Sequence, residues 1–260
     1  MTSDIEISVK DGTQILRLNR SAKKNALTSA MYAALADALE AGDRDERIVC
    51  HLFTGSGGIF SAGNDIKDFL ETSRGSGALS GPIARFVRML PRVAKPMIAT
   101  VEGPAIGIGT TLLLHCDLVY AAPNAAFSTP FLDLGLVPEA GSSLLAPHRM
   151  GYVRAFEMLV LGEPFTADRA LEAGLVNAVL PTADLEAVAL KAARRLAMKP
   201  PGALMAARRL MRGDADQVLR QIEAEVEVFN KRLASPEARE AFQAFLEKRP
   251  AQFRAGPARG

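Results

Sequence analysis

Apolar and polar residues alternate along the first part of the chain. The segment IEISVKDGTQILRLNR has this period of two on both sides of Asp11-Gly12, a pair that favours tight turns, so a β-hairpin is predicted. The next segment, TSAMYAALADALEAG, has apolar residues at helical spacing. Thr28 is suited to cap the start of this predicted helix, and Gly42 is suited to end it.

Three short apolar runs follow: IVCHLFTG, PMIATVEG and DLVYAA. Runs of this length without alternation are typical of strands buried on both faces, and helical or glycine-rich segments separate them. This succession of strands and helices predicts an α/β fold.

From Asp184 onward the strand pattern stops, and the chain predicts helices only. They cover LEAVALKAARRLAMK, GALMAARRLMR, ADQVLRQIEAEVEVFNKRL and PEAREAFQAFLEKR. Ser235-Pro236 is a favourable start for the last of them. We expect an α/β core over residues 1–198 and a helical region over 199–260, which packs on its own core or on a second copy of the chain.

Composition excludes several classes of function. The chain has 260 residues and a net charge of only +2, from 31 basic and 29 acidic residues, so neither nucleic acid nor an anionic membrane is expected as the main partner. Cys50 and Cys116 have no metal-ligand spacing and suit a reducing compartment. No secretory signal and no apolar run of about 20 residues is present. We therefore expect a cytoplasmic protein without a metal and without membrane insertion.

Two glycine-rich segments are the candidates for chemistry: FTGSGGIFSAGNDIKDF and VEGPAIGIGTTLLLHCD. The second lacks GxGxxG, because Leu112 stands where the last glycine is required, and the chain has no GxxxxGK[ST], GxSxG or HExxH. What remains is one exposed backbone amide in each segment, a pair that could stabilise an oxyanion. On spacing alone, tight turns are the better explanation of these glycines.

These segments, together with LVPEAGSSLL and AFEMLVLGEPFTADRALEAGLVNAVLP, resemble the crotonase (enoyl-CoA hydratase/isomerase) superfamily. The resemblance covers nearly the whole chain and is greatest to the peroxisomal-type 3,2-enoyl-CoA isomerases. It implies a crotonase-like spiral of ββα units with a C-terminal helical region over residues 199–260 that forms trimers, often assembled as a dimer of trimers, and covers the CoA. It also implies an acyl-CoA thioester substrate, so that coenzyme A is part of the substrate and no separate cofactor is needed.

The resemblance also implies the site residues. Ala62 and Ile108 correspond to the two backbone donors of an oxyanion hole, and Lys24 is a candidate contact for a CoA phosphate. Lys248 is a candidate contact for the CoA of a neighbouring subunit. The remaining substrate-binding residues implied are Gly63, Asn64, Asp65, Ile66, Gly107, Phe131 and Leu136. The stretch ETSRGSGALSGPIARF is expected to shape the acyl pocket.

Glu139 distinguishes this chain from the hydratases of the superfamily. Hydratases have two glutamates where this chain has Thr111 and Phe131, and they have glycine where it has Glu139. The isomerases have their catalytic glutamate at that last position, which implies that Glu139 moves a proton in fatty-acid β-oxidation or a similar pathway. Without the resemblance, Glu139 after Pro138 is better explained as an acidic residue in the first turn of a helix.

Two alternatives to an isomerase remain open, a hydratase and a non-catalytic scaffold, and a third, RNA binding, is not expected. A hydratase could combine Glu139 with Asp133 or with water, although Asp133 is better explained as a charged turn residue. An acyl-CoA-binding scaffold without activity would also suit the missing glutamates. RNA binding is not expected, because the first long helix has no lysine. His115, within the apolar TLLLHCD, is expected to be a core histidine.

Overall fold

The computed structural model describes residues 4–67 and 79–253. Half of the stretch expected to shape the acyl pocket, residues 71–78, lies outside the described residues. The described strands are β1 (Ile5–Lys10), β2 (Thr13–Leu18), β3 (Cys50–Gly55), β4 (Met97–Val101), β5 (Pro104–Ile106), β6 (Leu118–Ala121), β7 (Ala126–Ser128), β8 (Phe165–Thr166) and β9 (Ala178–Val179).

The strands form two sheets. The larger sheet has the order β1-β2-β3-β4-β6-β9, and all neighbours in it are parallel except the antiparallel hairpin of β1 and β2. The hairpin turns at Asp11 and Gly12, as predicted, and both have positive φ. The smaller sheet has the order β5-β7-β8. The α/β prediction is therefore confirmed.

Helices flank both sheets and make up most of residues 185–247. The described helices are α1 (Ser29–Arg44), α2 (Gly81–Met89), α3 (Ile108–Thr111), α4 (Ser142–Met150), α5 (Tyr152–Phe156), α6 (Ala167–Glu172), α7 (Leu185–Ala197), α8 (Pro201–Arg212), α9 (Ala215–Leu233) and α10 (Pro236–Glu247). The four helices predicted after Asp184 are thus present. No described helix has the length and apolar character needed to cross a membrane.

Two predicted helix boundaries can be compared with the structure. Thr28 caps α1 by accepting a hydrogen bond from the amide of Met31 at 3.3 Å. Gly42 does not end α1, which continues to Arg44, so that prediction is wrong. Gly42 is needed for packing instead, because a methyl group on its Cα would lie 2.4 Å from Oε1 of Gln14.

The last two helices share the main apolar core of the chain. Ile222 and Phe229 of α9 and Phe242 of α10 belong to the same buried cluster as Phe53 of β3 and Phe127 of β7. Packing on their own core, one of the two predicted alternatives, is therefore observed. This packing brings the C-terminal helices close to the glycine-rich segments.

Candidate active site

A cavity of about 560 Å³ lies between the glycine-rich segments and the C-terminal helices. Most of the predicted site residues line it: Lys24, Ala62, Gly63, Asn64, Ile66, Gly107, Ile108, Phe131, Leu136 and Glu139. Asp65 and Lys248 are not among its lining residues. The structure therefore gathers predicted residues from four separate stretches of the sequence into one site.

The two glycine-rich segments lie side by side at this cavity. The amide of Ser61 donates to the carbonyl of Pro104 at 3.1 Å, and the amide of Ile106 donates to the carbonyl of Ser61 at 2.8 Å. Gly63 and Gly107 then meet in left-handed conformations, with φ of 85° and 56°. A methyl group on Gly63 would lie 2.9 Å from the carbonyl oxygen of Ile106, so the close approach requires glycine there.

The backbone donors at this junction differ from the predicted pair. The amide of Ala62 already donates to the carbonyl of Lys24 at 2.9 Å, so it is not available to a ligand. The prediction of Ala62 as a donor is therefore corrected. Within residues 4–67 and 79–253, the amides of Asn64 and Ile108 have no acceptor. These two amides are the available donors, one on each glycine-rich segment.

The amide of Asn64 faces the cavity because the residues on either side of it, Gly63 and Asp65, pair with Leu27. The carbonyl of Gly63 accepts from Leu27, and the amide of Asp65 donates to the carbonyl of Leu27. In such parallel pairing the amide of the residue between them points away from the partner. The side chain of Asn64 accepts a 2.5 Å hydrogen bond from the hydroxyl of Tyr32, which fixes this residue in place.

Glu139 is the one buried carboxylate among the described lining residues. Its side chain is 3% exposed, and its Oε1 accepts a 2.6 Å hydrogen bond from the hydroxyl of Thr111. Burial, the largest effect, and the nearby charge of Glu225 raise the pKa of Glu139 to about 8, although the bond from Thr111 acts in the opposite direction. No described residue contacts Oε2 by a hydrogen bond, so this oxygen can exchange a proton with a ligand in the cavity.

Glu139 does not belong to the first turn of a helix. It precedes α4 by three residues, and the two residues between, Ala140 and Gly141, have positive φ. Its side chain faces the cavity instead of capping α4. The helix-dipole explanation of its charge is therefore wrong.

A second buried carboxylate, Glu225 of α9, holds the segment that carries Glu139. Its two oxygens accept hydrogen bonds from the amide of Gly141 at 2.6 Å and from the amide and hydroxyl of Ser143 at 3.0 and 2.5 Å. On the other side, Nε2 of His115 donates to the carbonyl of Ala140 at 2.7 Å. The backbone next to Glu139 is therefore fixed from both sides. His115 is fully buried, as expected of a core histidine.

The other predicted residues have different positions. Asp65 forms an ion pair with Arg20 at 2.8 Å and accepts from the amide of Lys67, so it has a structural role in the loop. Lys248 is exposed and ends α10 in the left-handed conformation. Asp133 lies in the 3₁₀ turn Leu132–Leu134, which confirms the prediction of a turn residue. Its side chain also lines the exposed part of the cavity.

Sequence reasoning expected the C-terminal region to cover the CoA, but it did not identify which residues of the helices line this cavity. The missed lining residues are Phe229, Ala241, Phe242, Ala244, Phe245, Arg249 and Ala251, together with Ile106 and Pro130. The apolar faces of α9 and α10 were the only signal, and such faces do not identify what they cover. Within the described ranges, no group of three or more potential metal-ligating side chains is present.

Comparison with known proteins agrees with this architecture. The sequence model of the enoyl-CoA hydratase/isomerase family matches residues 9–256. The chain belongs to this family. It has the crotonase fold: a solved enoyl-CoA hydratase/isomerase from Pseudoalteromonas atlantica T6c superposes with a TM-score of 0.91 at 40% identity, covering 97% of this chain and 100% of the other.

The curated relatives of this crotonase-family chain have different named activities. Enoyl-CoA delta isomerase 2 of Rattus norvegicus is 36% identical over 95% of this chain, which spans 64% of that relative's length. The 2,3-dehydroadipyl-CoA hydratase of Escherichia coli K12 is 34% identical over 97% of this chain and 99% of its own. Relatives within this one family are therefore named for different reactions, an isomerisation and a hydration.

Proposed function

We propose that this protein moves the double bond of a 3-enoyl-CoA to the 2-position. The observation that carries the proposal is the position of Glu139, a single buried carboxylate with one oxygen open to the cavity. Thr111, which donates a hydrogen bond to Glu139, stands at the position where the resemblance places a glutamate in the hydratases. One carboxylate is sufficient for isomerisation, whereas hydration needs a second group to manage the proton of water.

The proposed reaction uses the groups at the junction of the glycine-rich segments. The amides of Asn64 and Ile108 bind the thioester oxygen and stabilise the negative charge that forms on it. Glu139 removes a proton from C2, the C3–C4 double bond moves to C2–C3, and the same carboxyl returns the proton to C4. The proton removed equals the proton returned, so no other reactant is required. Phe131 and Leu136 keep water away from this step.

Two basic residues are suited to the phosphates of coenzyme A, which is part of the substrate. Lys24 and Arg249 both line the cavity. Arg249 is held by Glu240 and Glu247 through its guanidinium, so its side chain has a fixed orientation. We further propose a homotrimer or a dimer of trimers in which Lys248 contacts the CoA of a neighbouring subunit.

The test is a product assay on 3-enoyl-CoA and 2-enoyl-CoA thioesters with wild type, Glu139→Gln and Asp133→Asn. We expect the wild type to convert 3-enoyl to 2-enoyl thioester, and Glu139→Gln to lose roughly 10²–10⁴ of that rate. Asp133→Asn, the control at the exposed end of the same cavity, retains it. Full isomerase activity in Glu139→Gln would overturn the proposal.

Hydration is the second candidate because Asp133 lines the cavity and supplies another carboxylate. A relative of this chain also has hydratase in its name. In the same assay, a hydroxyacyl product from 2-enoyl-CoA that disappears in Asp133→Asn would favour this candidate. Binding of both thioesters without any product would instead favour a scaffold.

A further inference from the structure

A second cavity, of about 550 Å³, lies between α8 and the strands β4 and β6. No described residue lines both this cavity and the active-site cavity. Most of its wall is apolar, including Leu145, Leu196, Leu204, Met211 and Val218. It therefore has the size and the apolar wall of a small-molecule site.

Charged groups in this wall are predominantly positive. Three arginines, Arg149, Arg208 and Arg212, line the cavity, and Asp117 is the one carboxylate among its described lining residues. His115 adds no positive charge, because burial lowers its pKa to about 3. Arg208 and Arg212 are one turn apart on α8, where like charges repel each other. The wall therefore favours an anion.

The guanidinium of Arg208 is only partly paired. Its side chain is 9% exposed; Nε donates to Asp117 at 2.9 Å, and Nη1 donates to the carbonyls of Val93 and Ala94. Its Nη2 is buried and has no acceptor among the described residues. Buried charged donors are nearly always paired, so this nitrogen is an exception that a bound acceptor would remove.

Arg212 has even fewer partners. Its Nη2 makes one long contact, 3.5 Å, with the carbonyl of Leu90, and its Nη1 is buried without an acceptor in the part of the chain that the structure describes. Arg149, by comparison, donates to the carbonyls of Leu113, Leu114 and Cys116. The unused donors of the wall thus belong to the two arginines of α8. Guanidinium groups pair best with the planar or tetrahedral oxygens of carboxylates and phosphates.

We propose that this cavity binds an amphipathic oxyanion, a small molecule with a carboxylate or phosphate head and an apolar body. The head is bound by Arg208 and Arg212, and the body packs against Leu204, Leu145 and Val218. The proposal concerns a site separate from the acyl-CoA cavity, and it does not depend on which reaction that cavity catalyses.

The experiment is isothermal titration of the full chain with octanoate, octyl phosphate, octanamide and inorganic phosphate. We expect octanoate and octyl phosphate to bind saturably, and octanamide, which has the same body without the charge, to bind at least about tenfold more weakly. Higher salt is expected to weaken the binding of the two anions. Inorganic phosphate is expected to bind weakly, because it lacks the apolar body.

Two substitutions in α8 test whether octanoate binds in this cavity. Arg212→Gln is expected to weaken octanoate binding by about tenfold or more, whereas Arg209→Gln, an exposed neighbour on α8 that does not line the cavity, leaves it unchanged. Arg212 has a single long contact, so its variant should fold, and thermal unfolding checks this.

Three results would overturn the proposal: no saturable binding, equal binding of octanoate and octanamide, or an unchanged affinity in Arg212→Gln. The first two need no variant. Inorganic phosphate binding as tightly as octyl phosphate would overturn the apolar part of the assignment.

Discussion

At the scale of single residues, the environment of Glu139 determines its chemistry. An exposed glutamate is a weak base, but a carboxyl buried among apolar side chains holds its proton to a higher pH. The Thr111 hydroxyl opposes this effect, because it stabilises the charged form at a distance of 2.6 Å. The pair is therefore a base whose strength depends on one hydrogen bond.

This pairing predicts a pH profile for isomerisation. Because burial raises the pKa of Glu139 to about 8, kcat/KM should rise with pH from 6 and level off above about 8. Thr111→Val removes the hydrogen bond that lowers this pKa, so the rise of kcat/KM in this variant should occur at higher pH than in the wild type. Thr110→Val, whose hydroxyl bonds the carbonyl of Ala105 and not Glu139, is the control. A profile that is flat between pH 6 and 9 would contradict this.

The same pKa predicts how stability depends on pH. The pKa of Glu139 in the folded state, about 8, lies above its ordinary value of 4.5, so the folded chain binds the extra proton between these values. The stabilisation is complete below about 4.5 and is lost as pH rises through about 8. Glu139→Gln should therefore gain stability relative to wild type between pH 6 and 9, measured by denaturant unfolding. Parallel curves for the two proteins would exclude a buried carboxyl with a raised pKa.

At the scale of elements, α9 supports the start of α4. The amides at the start of a helix lack partners within it, and here Glu225 accepts from two of the amides around this start. Glu225 is 6% exposed, and burial raises its pKa. Gln221, one turn before it, donates to the hydroxyl of Ser143 at 2.8 Å. The segment that positions Glu139 is thus fixed by a helix that lies about 80 residues later in the chain.

Glu225→Gln is expected to affect both stability and the active site. Glutamine has one acceptor oxygen where the carboxylate has two, so one of the amides of Gly141 and Ser143 loses its acceptor. This loss should lower the free energy of unfolding by about 1–3 kcal/mol. The substitution also removes a charge that raises the pKa of Glu139, so the acid limb of kcat/KM should shift to lower pH. Denaturant unfolding and the pH profile measure the two effects.

Glu223→Gln is the matched control for this substitution. Glu223 lies on the same helix and pairs with Arg88 at the surface, so its change should cost less than about 0.5 kcal/mol. A stability loss in Glu225→Gln without any shift of the pH profile would show a structural role alone.

At the scale of the whole molecule, the C-terminal helices complete both the core and the cavity. Phe242 and Phe229 are buried in the main core and line the active-site cavity. Folding of the core and formation of the site are therefore linked. Phe245, on the same helix as Phe242, lines the cavity but is 58% exposed.

This difference predicts two separable effects. Phe242→Ala should destabilise the chain by about 3–5 kcal/mol, because it opens a void in the core, and it should raise KM. Phe245→Ala should raise KM with a stability loss below about 0.5–1 kcal/mol, because it leaves no internal void. Unfolding curves and steady-state kinetics give both values. Equal destabilisation by the two substitutions would contradict this division.

The sequence by itself determined the elements, since each depends on local chemistry. The hairpin at Asp11-Gly12, the cap at Thr28 and the start of α10 at Ser235 follow from turn and capping preferences. Glu139 was also identified from the sequence, by the resemblance of its surroundings. Gly42 was misread, because the packing that requires glycine there involves Gln14, which is distant in sequence.

Only the tertiary structure decided which groups are available at the site. It placed the amide of Ala62 on the carbonyl of Lys24 and left the amides of Asn64 and Ile108 without acceptors among the described residues. It also gave Glu139 its burial and placed Glu225 beside it. These properties depend on contacts between segments far apart in the chain, and hydrogen-bond partners and burial are not encoded in the spacing of any single segment.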